Sequence, residues 1–390
     1  MEYELEDQYD RDHLEEKQKL SEIRHKYDAE QFRRYTEKEQ ASEKIRDALI
    51  ARVDKLTTNS DNMSDEEYES EYNSIKEDIE KSDMMDQHKR FLMNSVRDRA
   101  DAQRFERQVK GIAGKVKAYQ KNSDAIVAAL EKIELPSEKF KKEDEKRKQE
   151  LKELVARKEK STDEEEKRDL SLKISQYIVD NWRDSNSHNN IIAQNVQATS
   201  NALKEILGDT GKKVIVVKAS KGSVGEKHYK SIADALDGIL GKTINVNNPP
   251  KIIGRRGRAN FGSMKNEIRL ESSDSAGVAI HEYTHFLESN NKKMIDNSIA
   301  FLEYRTKGEQ VQSLRKLTGI NYGGGEESKP DKFFNPYCGK MYSMSGQYKN
   351  AYATELMSMG VQRLFEDPKG FAKEDREYFD FVIANLRGEL

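Results

Sequence analysis

Ser272-Ser273-Asp274-Ser275-Ala276-Gly277-Val278-Ala279-Ile280-His281-Glu282-Tyr283-Thr284-His285-Phe286-Leu287 is the stretch on which the fold turns. Ser272, Ser273 and Asp274 are N-cap residues by type, so the pattern predicts a helix opening there and running through Leu287. Residues four apart share one helical face. His281 and His285 can therefore present two imidazole nitrogens to one Zn²⁺ at about 2.0 to 2.1 Å. Glu282 projects toward the same cleft without being needed as a ligand, which leaves its carboxylate to act as general base on a metal-bound water. Three fixed residues in five also recur by chance in unrelated helices, so the surroundings carry weight. Asn266-Glu267-Ile268-Arg269-Leu270, just upstream, reads as an edge strand, the element that would pair with an extended substrate beside such a helix. The other five histidines, His13, His25, His88, His188 and His228, lie in polar helical segments and are expected at the surface.

A catalytic zinc takes three protein ligands and keeps one position open. An eleven-residue extension of the motif would need a histidine six residues after His285. Asn291 stands there, and Glu288 stands where the extension has glycine, so the third ligand is expected from a later helix. Glu355 is the preferred residue, because the weakly charged helix expected over Asn350 to Gly360 should be buried and a lone carboxylate in it needs a partner. Glu303, on the amphipathic stretch Met294 to Tyr304, is the competing one. A tyrosine hydroxyl suits the oxyanion-stabilising task, and Tyr342, Tyr348 and Tyr352 are at hand. Tyr348, seven residues before Glu355, is assigned that role, although most tyrosines are packing residues. Gly323-Gly324-Gly325 reads as a surface loop rather than a flap.

Around this segment the chain changes character twice. Charged residues make up 36% of its 390 positions and hydrophobic ones 35%, against about 25% charged in an average soluble protein. Only Pro136 interrupts the first 248 residues, and the prevalence of Glu, Lys, Arg and Gln there predicts long helices. Leu20, Ile23 and Tyr27, then Ile45, Leu49, Val53 and Leu56, form a narrow apolar stripe, as in a coiled coil or helical hairpin. A bend is expected at Thr57 to Ser64, where Ser64 and Glu67 form a capping box. Glu138 to Lys160 reads as a solvated helix. Leu170, Ile174, Ile178 and Trp182 at four-residue steps predict a helix that packs. Val214 to Val217 and Thr243 to Val246 read as strands. The chain is thus expected to be α+β: a charged helical rod over 1–160, a helical neck over 161–210 and a metallopeptidase domain over 211–390.

Sixty-eight basic residues against 71 acidic ones leave a net charge of -3, so no global field points to nucleic acid. Cys338 is the only cysteine, which excludes an intrachain disulfide. The acidic N-terminus and the lack of any run of about 18 apolar residues predict neither an export signal nor a membrane span, and the single cysteine favours a reducing interior. The expected partner is a protein or peptide substrate, with the rod as scaffold, self-association arm or docking arm.

From about Lys251 to Leu390 the chain resembles the zincin-like metallopeptidase domains of phage and prophage proteins associated with head morphogenesis. The resemblance rests on Gly257-Arg258-Ala259, on the His281 to His285 motif, on Asn335-Pro336-Tyr337-Cys338-Gly339-Lys340, on Thr354-Glu355-Leu356-Met357-Ser358-Met359-Gly360, and on the tail from Phe365 to Phe379. It implies Glu355 as the third zinc ligand and a setting in a bacterial host cytoplasm or a virion. It leaves open a phage-encoded endopeptidase, an assembly protein that keeps the fold with little turnover, or a toxin-like protease.

Overall fold

The computed structural model describes residues 2–181, 185–343 and 351–390. They form two compact units that divide at Arg107/Gln108, inside a single helix. The division lies well before the boundaries expected near 160 and 210. The chain after Gln108 does not wait for a neck before it packs.

The first unit holds α1 (Glu2–Asn59), α2 (Asp65–Lys81) and the first half of α3 (Asp86–Leu130). Between α1 and α2 the chain bends through the turn Ser60–Asn62. Ser64 then opens α2 with the expected capping box, its hydroxyl accepting from Glu67 N at 3.1 Å and its own N–H donating to Glu67 Oε2 at 2.8 Å. Leu49, Val53 and Leu56 of α1 are buried with Tyr68, Tyr72, Ile75 and Ile79 of α2 and Leu92, Val96 and Ala100 of α3. Only this later half of the apolar stripe becomes hairpin core; Leu20, Ile23 and Tyr27 are exposed.

In the second unit, α4 (Pro136–Lys160) is a solvated helix with no buried residue. α5 (Glu164–Asp180) buries only Leu170, while Ile178 is exposed; Trp182 lies outside the described residues. α6 (Ser185–Leu207) packs on three later helices, α7 (Val224–Leu236), α8 (Ala276–Asn290) and α11 (Leu356–Glu366). The expected neck is therefore a wall of the C-terminal unit. Val214 to Val217 and Thr243 to Val246 form no ladder. Instead their backbone is tied to α8: the Tyr283 hydroxyl donates to Ile215 O at 3.1 Å and accepts from Ile215 N at 3.2 Å. Asn291 likewise bonds both Asn245 N and Asn245 O.

A three-stranded sheet covers α8. β1 (Lys251–Gly254) runs parallel to β3 (Glu267–Leu270), and β2 (Asn260–Gly262) runs antiparallel to β3, in the order β1-β3-β2. The expected edge strand, β3, is thus central. β2 is the edge on the side of the metal motif. The chain continues through α9 (Lys292–Arg305), β4 (Gln312–Ser313), α10 (Leu314–Thr318) and β5 (Glu327–Ser328) to the antiparallel pair β6 (Met341–Ser343) and β7 (Ala351–Thr354), which delivers Glu355 to the start of α11. α12 (Pro368–Glu374) and α13 (Arg376–Arg387) close the core with buried Phe371, Tyr378, Phe379 and Phe381. α8 and α11 can lie close because Gly277 has no side chain, and a Cβ there would overlap the Glu366 carboxylate.

Candidate metal centre

α8 begins one residue later than its sequence suggests, with Ser275 capping Val278 N at 3.3 Å. Its helical repeat then sets His281 and His285 on one face, with ring centroids 5.0 Å apart. Both side chains are 12% exposed, so each ring is packed but reachable. Glu355, at the junction of β7 and α11, meets them. Its Oε2 lies 3.2 Å from His281 Nε2 and 3.2 Å from His285 Nε2. The three ligand atoms all lie within 4.8 Å of one another.

The Glu355 carboxylate is fixed from every side. Tyr337 and Tyr342 donate to Oε1 at 2.7 and 2.6 Å, and Ser358 donates to Oε2 at 3.1 Å. Tyr337 in turn accepts from Arg258 and from Lys340. Behind His285, the carboxylate of Glu288 has Oε2 3.8 Å from Nδ1 and Oε1 held by the Thr354 hydroxyl at 3.0 Å. Glu288 thereby ties a helical residue to the residue preceding Glu355.

Burial alone would raise the Glu355 carboxyl, but the two imidazoles outweigh it and hold it well below the usual carboxylate range. Burial would likewise lower His285. The Glu355 and Glu288 carboxylates instead push it up to about 10. An ionised carboxylate buried between two imidazoles makes a field that favours positive charge at their meeting point. Two imidazole nitrogens and one carboxylate oxygen are also a donor set suited to zinc, which leaves a fourth tetrahedral position for water. Glu282, next to His281, is buried, and this desolvation raises its carboxyl, opposed by the neighbouring imidazoles. It lines the same cleft of about 630 Å³ as His281, His285 and Glu355.

The structure therefore brings together four of the five residues singled out in the sequence; Tyr348 lies outside the described residues. Glu303 takes no part in the group and instead pairs with Lys329 Nζ at 3.0 Å. Tyr342 reaches the site through Glu355, and Tyr352, 59% exposed, lines the cleft. His228, expected at the surface, is fully buried with Nε2 2.7 Å from Glu271 O, a packing role. Sequence reasoning gave no role to Tyr337, Ser358, Glu288 or Arg258. The one local signal was Glu288 three residues beyond His285, on the helical face of the motif itself. Comparison of the chain with protein-family models, with curated proteins and with solved structures gave no match in any of the three.

Proposed function

We propose that this chain is a zinc-dependent endopeptidase, with His281, His285 and Glu355 holding the metal and Glu282 as general base. The observation that carries the reading is the convergence of both imidazole Nε2 atoms on one oxygen of Glu355 at 3.2 Å, in a cleft that also holds Glu282. Bound Zn²⁺ would polarise the scissile carbonyl and bring its water's pKa toward about 7.

The chain's own groups supply the rest. Glu282 takes the proton from the attacking water and returns it to the leaving amine, and its raised carboxyl suits both directions of transfer. Tyr337, Tyr342 and Ser358 fix the Glu355 carboxylate, and Glu288 backs His285, so the ligands are oriented before substrate arrives. Among the described residues β2 pairs with β3 alone, the Glu282 carboxylate lies against its Phe261 backbone N–H, and its residues line the cleft. An extended peptide added along that free edge would pass the metal group with its backbone hydrogen-bonded. The phage or prophage setting belongs to the same proposal and rests on the resemblance of the C-terminal third alone.

The test is zinc content and peptide cleavage by the full chain and by its Glu282→Gln variant. One zinc per chain in both proteins is expected, with cleavage of a mixed peptide library about 10² to 10⁴ slower in the variant. Survival of cleavage in Glu282→Gln would overturn the mechanism. Zinc bound by the wild type with no peptide cut would favour an assembly protein that keeps the site without turnover.

A further inference from the structure

The cleft carries a second set of charges that catalysis does not use. Apart from Glu282 and the metal group, its walls hold Arg258, Lys265, Arg269 and Lys340 against one carboxylate, Glu326. Two of these cations are engaged. Lys340, 7% exposed, pairs with Glu326 at 2.6 Å, and Arg258 donates to Tyr337.

Arg269 is different. It sits on β3 opposite Asn260, and its Nε is buried with no hydrogen-bond partner. Its Nη2 donates a long hydrogen bond to Glu267 Oε2, its ion-pair partner, at 3.5 Å. That is well beyond the roughly 2.7 to 2.9 Å of a charge-assisted hydrogen bond. A guanidinium offers five N–H donors in a rigid fork that matches a carboxylate. The side chain is 23% exposed and lines the cleft. The guanidinium reaches across to the edge strand, with Arg269 Nη2 3.8 Å from where a Cβ on Gly262 would stand. Lys265, in the turn between β2 and β3, lines the same cleft and has no carboxylate partner among the described residues.

We propose that Arg269, with Lys265 lining the same cleft, forms a subsite for an acidic side chain, so that the preferred substrates are peptides carrying Asp or Glu near the cut. The proposal rests on the peptidase reading only in placing an extended peptide along β2. Side chains of an added strand alternate between faces. The face bearing Asn260 and Arg269 is the one away from Phe261 and Ile268, so a peptide residue that presents its side chain on that face beside Asn260 comes within reach of the Arg269 guanidinium.

The experiment uses the full chain bearing Glu282→Gln, loaded with zinc, and two fluorescein-labelled peptides that differ only in Glu against Gln at alternate positions. Fluorescence anisotropy should show the Glu peptide binding about tenfold tighter. Arg269→Gln should bring the two affinities together, and Arg269→Lys, which keeps charge but loses the fork, should narrow the gap by less. Equal binding of both peptides by the parent protein overturns the subsite without recourse to any variant. So does a gap that persists in an Arg269→Gln protein still holding one zinc. The wild-type chain reports separately on the chemistry. Preferential binding of the Glu peptide with neither peptide cut keeps the subsite and overturns the peptidase reading, whereas cleavage of both with equal binding overturns the subsite alone.

Discussion

α1 and α8 are both helices, but they are helical for opposite reasons. Over α1 the residues are strong helix formers, and Glu30 bonds Arg33 and Arg34 along the surface at 2.9 Å each; Leu20, Ile23 and Tyr27 remain exposed. α8 contains Val278, Ile280, Thr284, Tyr283, Phe286 and two histidines, all weak helix formers. It is held by its surroundings, with ten of its fifteen residues buried. Local preference makes a helix wherever it occurs and places nothing in particular beside it. Packing on all sides makes a helix whose side chains have fixed addresses, and the candidate metal group stands on that kind.

The largest effect should fall on α8. Phe286 is fully buried, meets Phe261 edge to face and packs against the tilted ring of Tyr283. Phe286→Ala is expected to cost about 3 to 5 kcal/mol in urea unfolding and to release zinc along with the fold. In the first unit Ile75 is equally buried. Ile75→Ala should cost about 2 to 5 kcal/mol in the transition of that unit, yet zinc content should stay at the wild-type level. Zinc loss in Ile75→Ala would break the contrast, because the core around α1 would then be holding the site.

A smaller effect sharpens the same contrast inside the second unit. Glu288 touches no substrate and no cleft, but it links His285 Nδ1 to Thr354. Glu288→Gln keeps its volume and removes its charge. Zinc affinity, measured by chelator competition, is expected to fall about 10- to 100-fold, with the unfolding midpoint of the metal-free protein little changed. An unaltered affinity would confine Glu288 to packing.

The parts of this molecule that the sequence made legible are those whose cause is local. The capping box at Ser64, the bend before it, the solvated helix after Pro136 and the pairing of His281 with His285 all follow from spacings of three or four residues. Glu355 was readable because a buried carboxylate demands a partner, although it stands just before α11 and after a strand rather than inside the helix expected over Asn350 to Gly360. What failed depends on neighbours far away in the chain. Val214 to Val217 has the residues of a strand, but its backbone is satisfied by the Tyr283 hydroxyl and Pro250. β3 looked like an edge because β2, three residues long, carries too little pattern to be seen. His228 looked exposed on a polar segment, yet the sheet covers it through Glu271. The ring of hydroxyls around Glu355 joins residues up to 21 positions apart in the chain, a separation no local spacing rule reaches.

The smallest predicted effects lie where local structure alone is at work. Ser64→Ala removes one half of a capping box and should cost about 1 kcal/mol in the first unit. Ile23→Ala should cost less still. Ile23 is 64% exposed, so little apolar surface returns to water, and alanine is the better helix former. The expected change in unfolding free energy is within about 0.5 kcal/mol, with the sign toward greater stability. The measurement is urea unfolding at two protein concentrations tenfold apart. A stabilised or unchanged variant at both would leave the front of α1 as a helix that stands by its own propensity. A destabilisation that grows with concentration would mean that a second copy covers the stripe of Leu20, Ile23 and Tyr27, and α1 would then owe its order to packing just as α8 does.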